Sequence, residues 1–139
     1  MTGRGTGLTS RAGLWWLAEV ADQLGLTDGL RWAMRRLSWR DHHPGTTLTL
    51  VVLAIADGAT AMSDVAMLRG LRTLFGPVAS TSTVWRTINR VGPAELRDLS
   101  AAERDARERA WALEAPRARI VIDIDATIVT CRSAKQDAA

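Results

Sequence analysis

The chain has 139 residues, enough for one ordinary domain, and its 47% hydrophobic and 24% charged content is that of a globular protein rather than a disordered one. Its net charge is +3, and among the 18 basic residues only Lys135 is lysine; arginine suits bidentate recognition of phosphate and guanine. The single cysteine, Cys131, excludes an internal disulfide framework, and the most apolar stretch, residues 48–56, is far too short for the ~20 residues that cross a bilayer.

Residues 1–10 are rich in Gly and Thr and are expected to be disordered. They carry no apolar run with a small-residue cleavage site, so no signal peptide is expected. Cys131, read as a small apolar filler, is compatible with a reducing cytoplasm, and a cytoplasmic location is expected.

Residues 14–24 place Leu14, Leu17, Ala21 and Leu24 on one helical face, and Gly25 is a natural stop. Thr27 or Asp28 caps a second helix expected to run to Trp39, with Arg31, Arg35 and Arg36 on a basic side and Leu30, Met34 and Leu37 on an apolar one. Asp41, His42, His43, Pro44 and Gly45 form a turn. Two histidines beside one aspartate lack the further ligands of a tetrahedral metal site, so an exposed loop is expected there.

A third helix is expected from Thr46 or Thr47 to Ala56 and reads as buried. A fourth, residues 64–75 with Ser63 as cap, turns Val65, Leu68 and Leu71 inward and is broken by Gly76 and Pro77. Ser80 or Ser82 then caps a short helix with Val84 and Ile88 toward the core and Arg86, Asn89 and Arg90 outward. Two helices joined by a Gly/Pro turn, the second polar and basic, form a helix-turn-helix pattern. An ordinary helical hairpin has the same signature.

Pro93 opens a long helix expected to reach Ala115. Glu103–Arg107, Arg104–Glu108 and Asp105–Arg109 are i,i+4 pairs on its solvated side, and Leu96, Leu99, Ala106, Ala110 and Leu113 mark its apolar side. Six tryptophans occur without a tyrosine. Helical spacing makes most of them core anchors, except that Trp15 and Trp16 are adjacent and cannot both point inward, so one marks an interface and a homodimer is considered.

After Pro116 the pattern changes to a period of two, the mark of a β-strand. Ile120, Ile122 and Ile124 alternate with Val121, Asp123 and Asp125, so the two carboxylates share a face. Paired carboxylates in an apolar strand are costly unless a cation binds them, and Mg²⁺ takes hard oxygen ligands. The simpler alternative is a strand end with both acids in solvent.

The D-x-D-x-T run from Asp123 to Thr127 resembles the first motif of haloacid-dehalogenase-type phosphatases, which implies Asp123 as nucleophile and Asp125 as general acid. It also resembles the first catalytic strand of bacterial insertion-sequence transposases of the DDE class, which have an RNase H-like core. That second resemblance covers most of the chain. It rests on the segment from Leu74 to Arg86 and on the segment from Val121 to Thr127, in this order behind a basic helical region. The phosphatase pattern usually has glycine where Ala126 stands.

The helical spacing gives a mainly α chain, a helical bundle with a helix-turn-helix-like segment, and the transposase resemblance implies that the first strand of a truncated RNase H-like α/β domain follows it. Residues 11–92 would be the helical DNA-binding region, 93–115 a charged connector helix, and 116–139 the start of the RNase H-like domain. It implies Asp125 and Asp123 as ligands of Mg²⁺ (or Mn²⁺) in DNA cleavage and strand transfer, and contacts to the element's terminal DNA from Arg69, Arg72, Arg86, Asn89 and Arg90. The run from Ser133 to Ala139 departs from the glutamate- and glycine-containing run of the family. Because the chain stops at Ala139, soon after the first acidic strand and without the later acids of the family, a truncated transposase that binds no metal and performs no strand transfer is expected, with residues from Arg117 onward loosely held. A non-catalytic DNA-binding module or regulator derived from the same element, and a haloacid-dehalogenase-type phosphatase fragment, are the alternatives.

Overall fold

The computed structural model describes residues 12–113. The expectations for residues 1–10 and for the acidic strand with Asp123 and Asp125 lie outside the described residues. Every regular element among the described residues is helical, in keeping with a mainly α chain: α1 (Ala12–Gln23), α2 (Leu26–Ala33), α3 (Pro44–Ala56), a 3-10 helix (Met62–Leu71), α4 (Arg72–Phe75), α5 (Thr81–Asn89) and α6 (Pro93–Ala112).

α1 ends where expected. Gly25 has φ 71°, a left-handed conformation that glycine adopts without a Cβ penalty, and its N–H donates to the Asp22 carbonyl at 2.9 Å. Leu14 is buried, but Leu17 is exposed. α2 stops at Ala33, six residues before Trp39. The Trp32 carbonyl accepts from both the Arg35 N–H and the Arg35 guanidinium, at 3.2 and 2.7 Å. Farther on, Ser38 is held by Arg90. Tertiary ties thus override a pattern that would have continued the helix.

α3 begins at Pro44 rather than Thr46 or Thr47, because His43 caps it: its Nδ1 accepts from the Gly45 N–H at 3.1 Å. A Cβ on Gly45 would stand 2.4 Å from the Arg31 Cα, so α2 and α3 approach backbone to backbone there. α3 buries Leu50, Leu53 and Ala54 and leaves Val52 and Ile55 exposed, so this most apolar helix is buried on one face only.

The segment expected as one α-helix is mostly a 3-10 helix. Met62, Val65, Leu68 and Leu71 recur at strict intervals of three, and 3.0 residues per turn align them in one row. Val65, Leu68 and Leu71 are buried, as their spacing predicts. The Asp64 carboxylate, not Ser63, caps this helix by accepting from the Thr60 and Ala61 N–H groups at 3.0 and 2.9 Å. Those bonds hold its carboxyl below the usual carboxylate range. Gly76 breaks α4 at φ 73°.

The main core gathers Leu14, α3, the 3-10 helix, Ala79 and Val84. α6 lies against α2 through Ala102 and Ala106, with Glu95 also buried; Leu96 and Leu113, expected on the apolar side, are exposed. Of the charge pairs read on α6, Glu103 and Arg107 meet at 2.9 Å, whereas Arg109 donates to the Leu24 carbonyl at 2.5 Å.

None of the six tryptophans is a core anchor: all are between 40% and 64% exposed. The interior is closed by helices meeting through Gly29, Gly45, Ala102 and Ala106, which leaves no room for indoles. The rings find partners at the surface instead. Trp15 and Trp16 meet edge to face at 5.1 Å, and the Arg35 guanidinium lies 3.3 Å from the centre of the Trp32 ring.

Candidate nucleic-acid interface

α5 is short and amphipathic. The Ser80 hydroxyl caps it by accepting from the Thr83 N–H at 3.3 Å. Val84 and Thr87, three residues apart, are buried, so the inward face is set by that pair; Ile88, expected in the core, is 39% exposed. Trp85, Arg86, Asn89 and Arg90 are exposed.

These outward groups are not equally free. Arg86 lies along its own helix, its Nε donating to the Ser82 carbonyl and its Nη2 to the Thr83 hydroxyl, both at 3.3 Å. The Asn89 amide donates back to the Trp85 carbonyl at 2.8 Å. Arg90 crosses to the segment after α2 and forks onto Ser38, one bond to its carbonyl at 2.8 Å and one to its hydroxyl at 3.1 Å.

That fork holds residues 38–44 beside α5 and creates a cleft of about 590 Å³. Trp39, Arg40, His42, Thr83, Arg86 and Arg90 line it, with the Asp41 carboxylate as its one acid. Three guanidinium groups against one carboxylate make it cationic. The Trp39 ring stands edge-on to His43 at a centroid distance of 5.2 Å and keeps 53% of its surface exposed. Burial, and then the Arg31 charge, lower the His43 pKa below its ordinary 6.5, which keeps Nδ1 a free acceptor for the α3 cap.

Arg86 and Arg90 therefore meet at one place. Arg69 and Arg72 are exposed on the 3-10 helix and α4 and do not line the cleft. The basic side read on α2 is partly neutralised. Asp98 of α6 accepts from Arg36 at 2.7 Å and from Arg35 at 3.0 Å, and Glu95 stands 3.9 Å from Arg36. These two guanidinium groups, Arg36 first, hold the Asp98 carboxyl below its usual range.

Sequence reasoning missed Trp39, Arg40 and His42, because a helix running to Trp39 puts those residues on a helix end and a plain turn. The available signal was an aromatic residue next to an arginine, just ahead of the Pro44–Gly45 turn. Asp123 and Asp125 lie outside the described residues. Among the described residues no group of three or more His, Cys, Asp or Glu could hold a metal ion.

In comparisons with known proteins, the family described as transposase DDE domain group 1 matches residues 1–139. No curated protein and no solved structure matches the chain.

Proposed function

Since the chain belongs to the transposase DDE domain group 1 family, we propose that its helical part docks on DNA of the mobile element and that its parent activity is metal-dependent DNA cleavage and strand transfer. The observation that carries the DNA-binding half is the cluster of Arg40, Arg86 and Arg90 around one cleft with an exposed indole. Helix-turn-helix docking would use α5 as the second helix, with Arg86, Asn89 and Arg90 toward DNA and Arg69 and Arg72 contacting phosphates from the preceding segment.

The chemistry falls to the acidic segment. Asp125, which stands before the Ala-Thr pair, is the first candidate ligand for Mg²⁺ or Mn²⁺, and Asp123 is the second. Two carboxylates at alternate positions are the hard oxygen donors such an ion takes. When bound, the ion would activate an attacking oxygen and stabilise charge on the phosphodiester. The RNase H-like character of that domain belongs to the same proposal.

Phosphate binding displaces condensed counterions, so affinity for duplex DNA must fall with salt, log K against log salt having a slope of about −0.9 per phosphate contacted. Fluorescence anisotropy of the full chain on a labelled duplex tests this. Absence of binding at low salt would remove the DNA-binding half of the reading.

A second reading, a DNA-binding module without catalysis, is favoured by the fact that every element of the cleft lies within residues 38–90. Alanine at both Asp123 and Asp125 separates the two. The module reading expects every activity unchanged, and the transposase reading expects the same two substitutions, made in the active parent, to abolish its metal-dependent DNA cleavage.

A further inference from the structure

The cleft between residues 38–44 and α5 has features that duplex binding does not use. In a duplex both faces of every base are covered by stacked neighbours, so an exposed indole has no base face to meet. An unpaired base has two free faces, and aromatic side chains in single-strand sites stack on them. Trp39 presents such a ring at the edge of a recess, half exposed and braced on one side by the edge contact to His43.

The recess is also the right kind of space. Its volume of about 590 Å³ lies within the ~300–1,000 Å³ typical of small-ligand sites. Arg86 lines it, and its guanidinium is already held along α5 by Ser82 and Thr83. Arg40 lies next to Trp39 in the chain and lines the same cleft. Arg90 directs its fork at Ser38, so it braces the segment carrying Trp39 rather than reaching outward. An aromatic platform flanked by two guanidinium groups matches one base with its phosphate.

We infer that this cleft binds one unpaired nucleotide of single-stranded DNA, with its base stacked on Trp39 and its phosphate held by Arg86 and Arg40. The inference rests on the DNA-binding reading and adds to it a preference for unpaired strands at this position. Trp39 and Arg86 are its contact residues and Arg90 is a positioning residue.

The test uses the full chain at low salt, a labelled short oligothymidylate and a duplex of the same length. The expected result is that Trp39→Ala weakens oligothymidylate binding on the order of 10-fold, that Trp39→Phe restores most of it, and that duplex affinity stays unchanged. An unchanged oligothymidylate affinity in Trp39→Ala, or an equal loss on duplex, overturns the inference. Duplex binding without oligothymidylate binding by the wild type also overturns it and leaves the DNA-binding reading standing, whereas absence of both removes the two together. Should Trp39→Ala fail to fold, ultraviolet crosslinking of a 5-bromouracil oligonucleotide to the wild type decides. A crosslink mapped to Trp39 supports the inference, and one mapped elsewhere rejects it.

Discussion

A β-carbon added to Gly29 of α2 would stand 2.7 Å from the Ala102 Cβ of α6, closer than real β-carbons pack. Two residues without bulk thus set the distance between these helices. Ala106, one turn along α6, is buried on the same side. The close approach is what brings Asp98 onto Arg35 and Arg36, since a carboxylate on a short side chain reaches across only when the axes are near.

Gly29→Ala should therefore destabilise the protein although alanine is the better helix former. Propensity favours the change by about 1 kcal/mol, while forcing extra volume into a packed contact costs about 1–3 kcal/mol. Gly29→Leu should cost more still. Thermal unfolding followed by circular dichroism reads the order, and a melting temperature raised by Gly29→Ala would mean that the two helices separate without cost.

The Asp98 tie gives an acid dependence. Arg36, and then Arg35, depress its carboxyl below the ordinary 3.8. A depressed carboxylate adds stability above its unfolded-state pKa and loses it as pH falls through the folded value. The α2–α6 contact should thus be at full strength at neutral pH and weaken only below about pH 3.8. Asp98→Asn should lower the melting temperature at pH 7 and flatten its fall in that acid range. Equal slopes for the two proteins below pH 3.8 would show that other groups carry the acid sensitivity.

His43 works at a higher pH. Its pKa lies below 6.5, so the folded state prefers the neutral ring, and stability present above pH 6.5 is lost as pH falls toward the folded value. Protonation also takes from Nδ1 the lone pair that caps α3 at Gly45. Exchange of the Gly45 amide, corrected for its intrinsic pH dependence, should therefore rise below pH 6.5. His43→Asn keeps a capping acceptor that does not titrate and should abolish that rise, whereas His43→Ala should cost about 1 kcal/mol above pH 6.5, where the neutral ring caps α3, and less as pH falls below it. A rise that persists in the asparagine variant would place the titration elsewhere.

What was legible in the sequence follows from how local each cause is. Gly25, Gly76 and Pro93 act through their own backbone preferences and Ser80 through a hydroxyl cap three residues away, and each marks the boundary read for it. Val65, Leu68 and Leu71 were readable as inward, although their interval of three was the sign of a 3-10 helix. The end of α2 was not readable, because the residue that holds the chain after it, Arg90, lies 52 positions from Ser38. The tryptophans misled because hydrophobicity was weighed without the space that Gly29, Gly45 and Ala102 leave inside. For the same reasons half of the cleft was legible: Arg86 and Arg90 stand out on α5, whereas Trp39 and Arg40 gain meaning only from a long-range contact.

Arg90 offers the sharpest separation of charge from geometry. Its guanidinium makes two bonds to Ser38, to the carbonyl and to the hydroxyl, and a lysine ammonium keeps the charge without the planar fork. If Arg90 braces residues 38–44, Arg90→Lys should speed amide exchange in that segment while leaving α3 and the 3-10 helix protected, because their cores do not contain it. Electrostatic attraction to phosphate should persist, so the salt slope of DNA binding should be nearly unchanged, whereas Arg86→Gln should reduce it by about one unit. Hydrogen exchange and anisotropy on the same preparations measure both. Unchanged exchange across residues 38–44 in Arg90→Lys would mean that Arg90 does not brace the cleft.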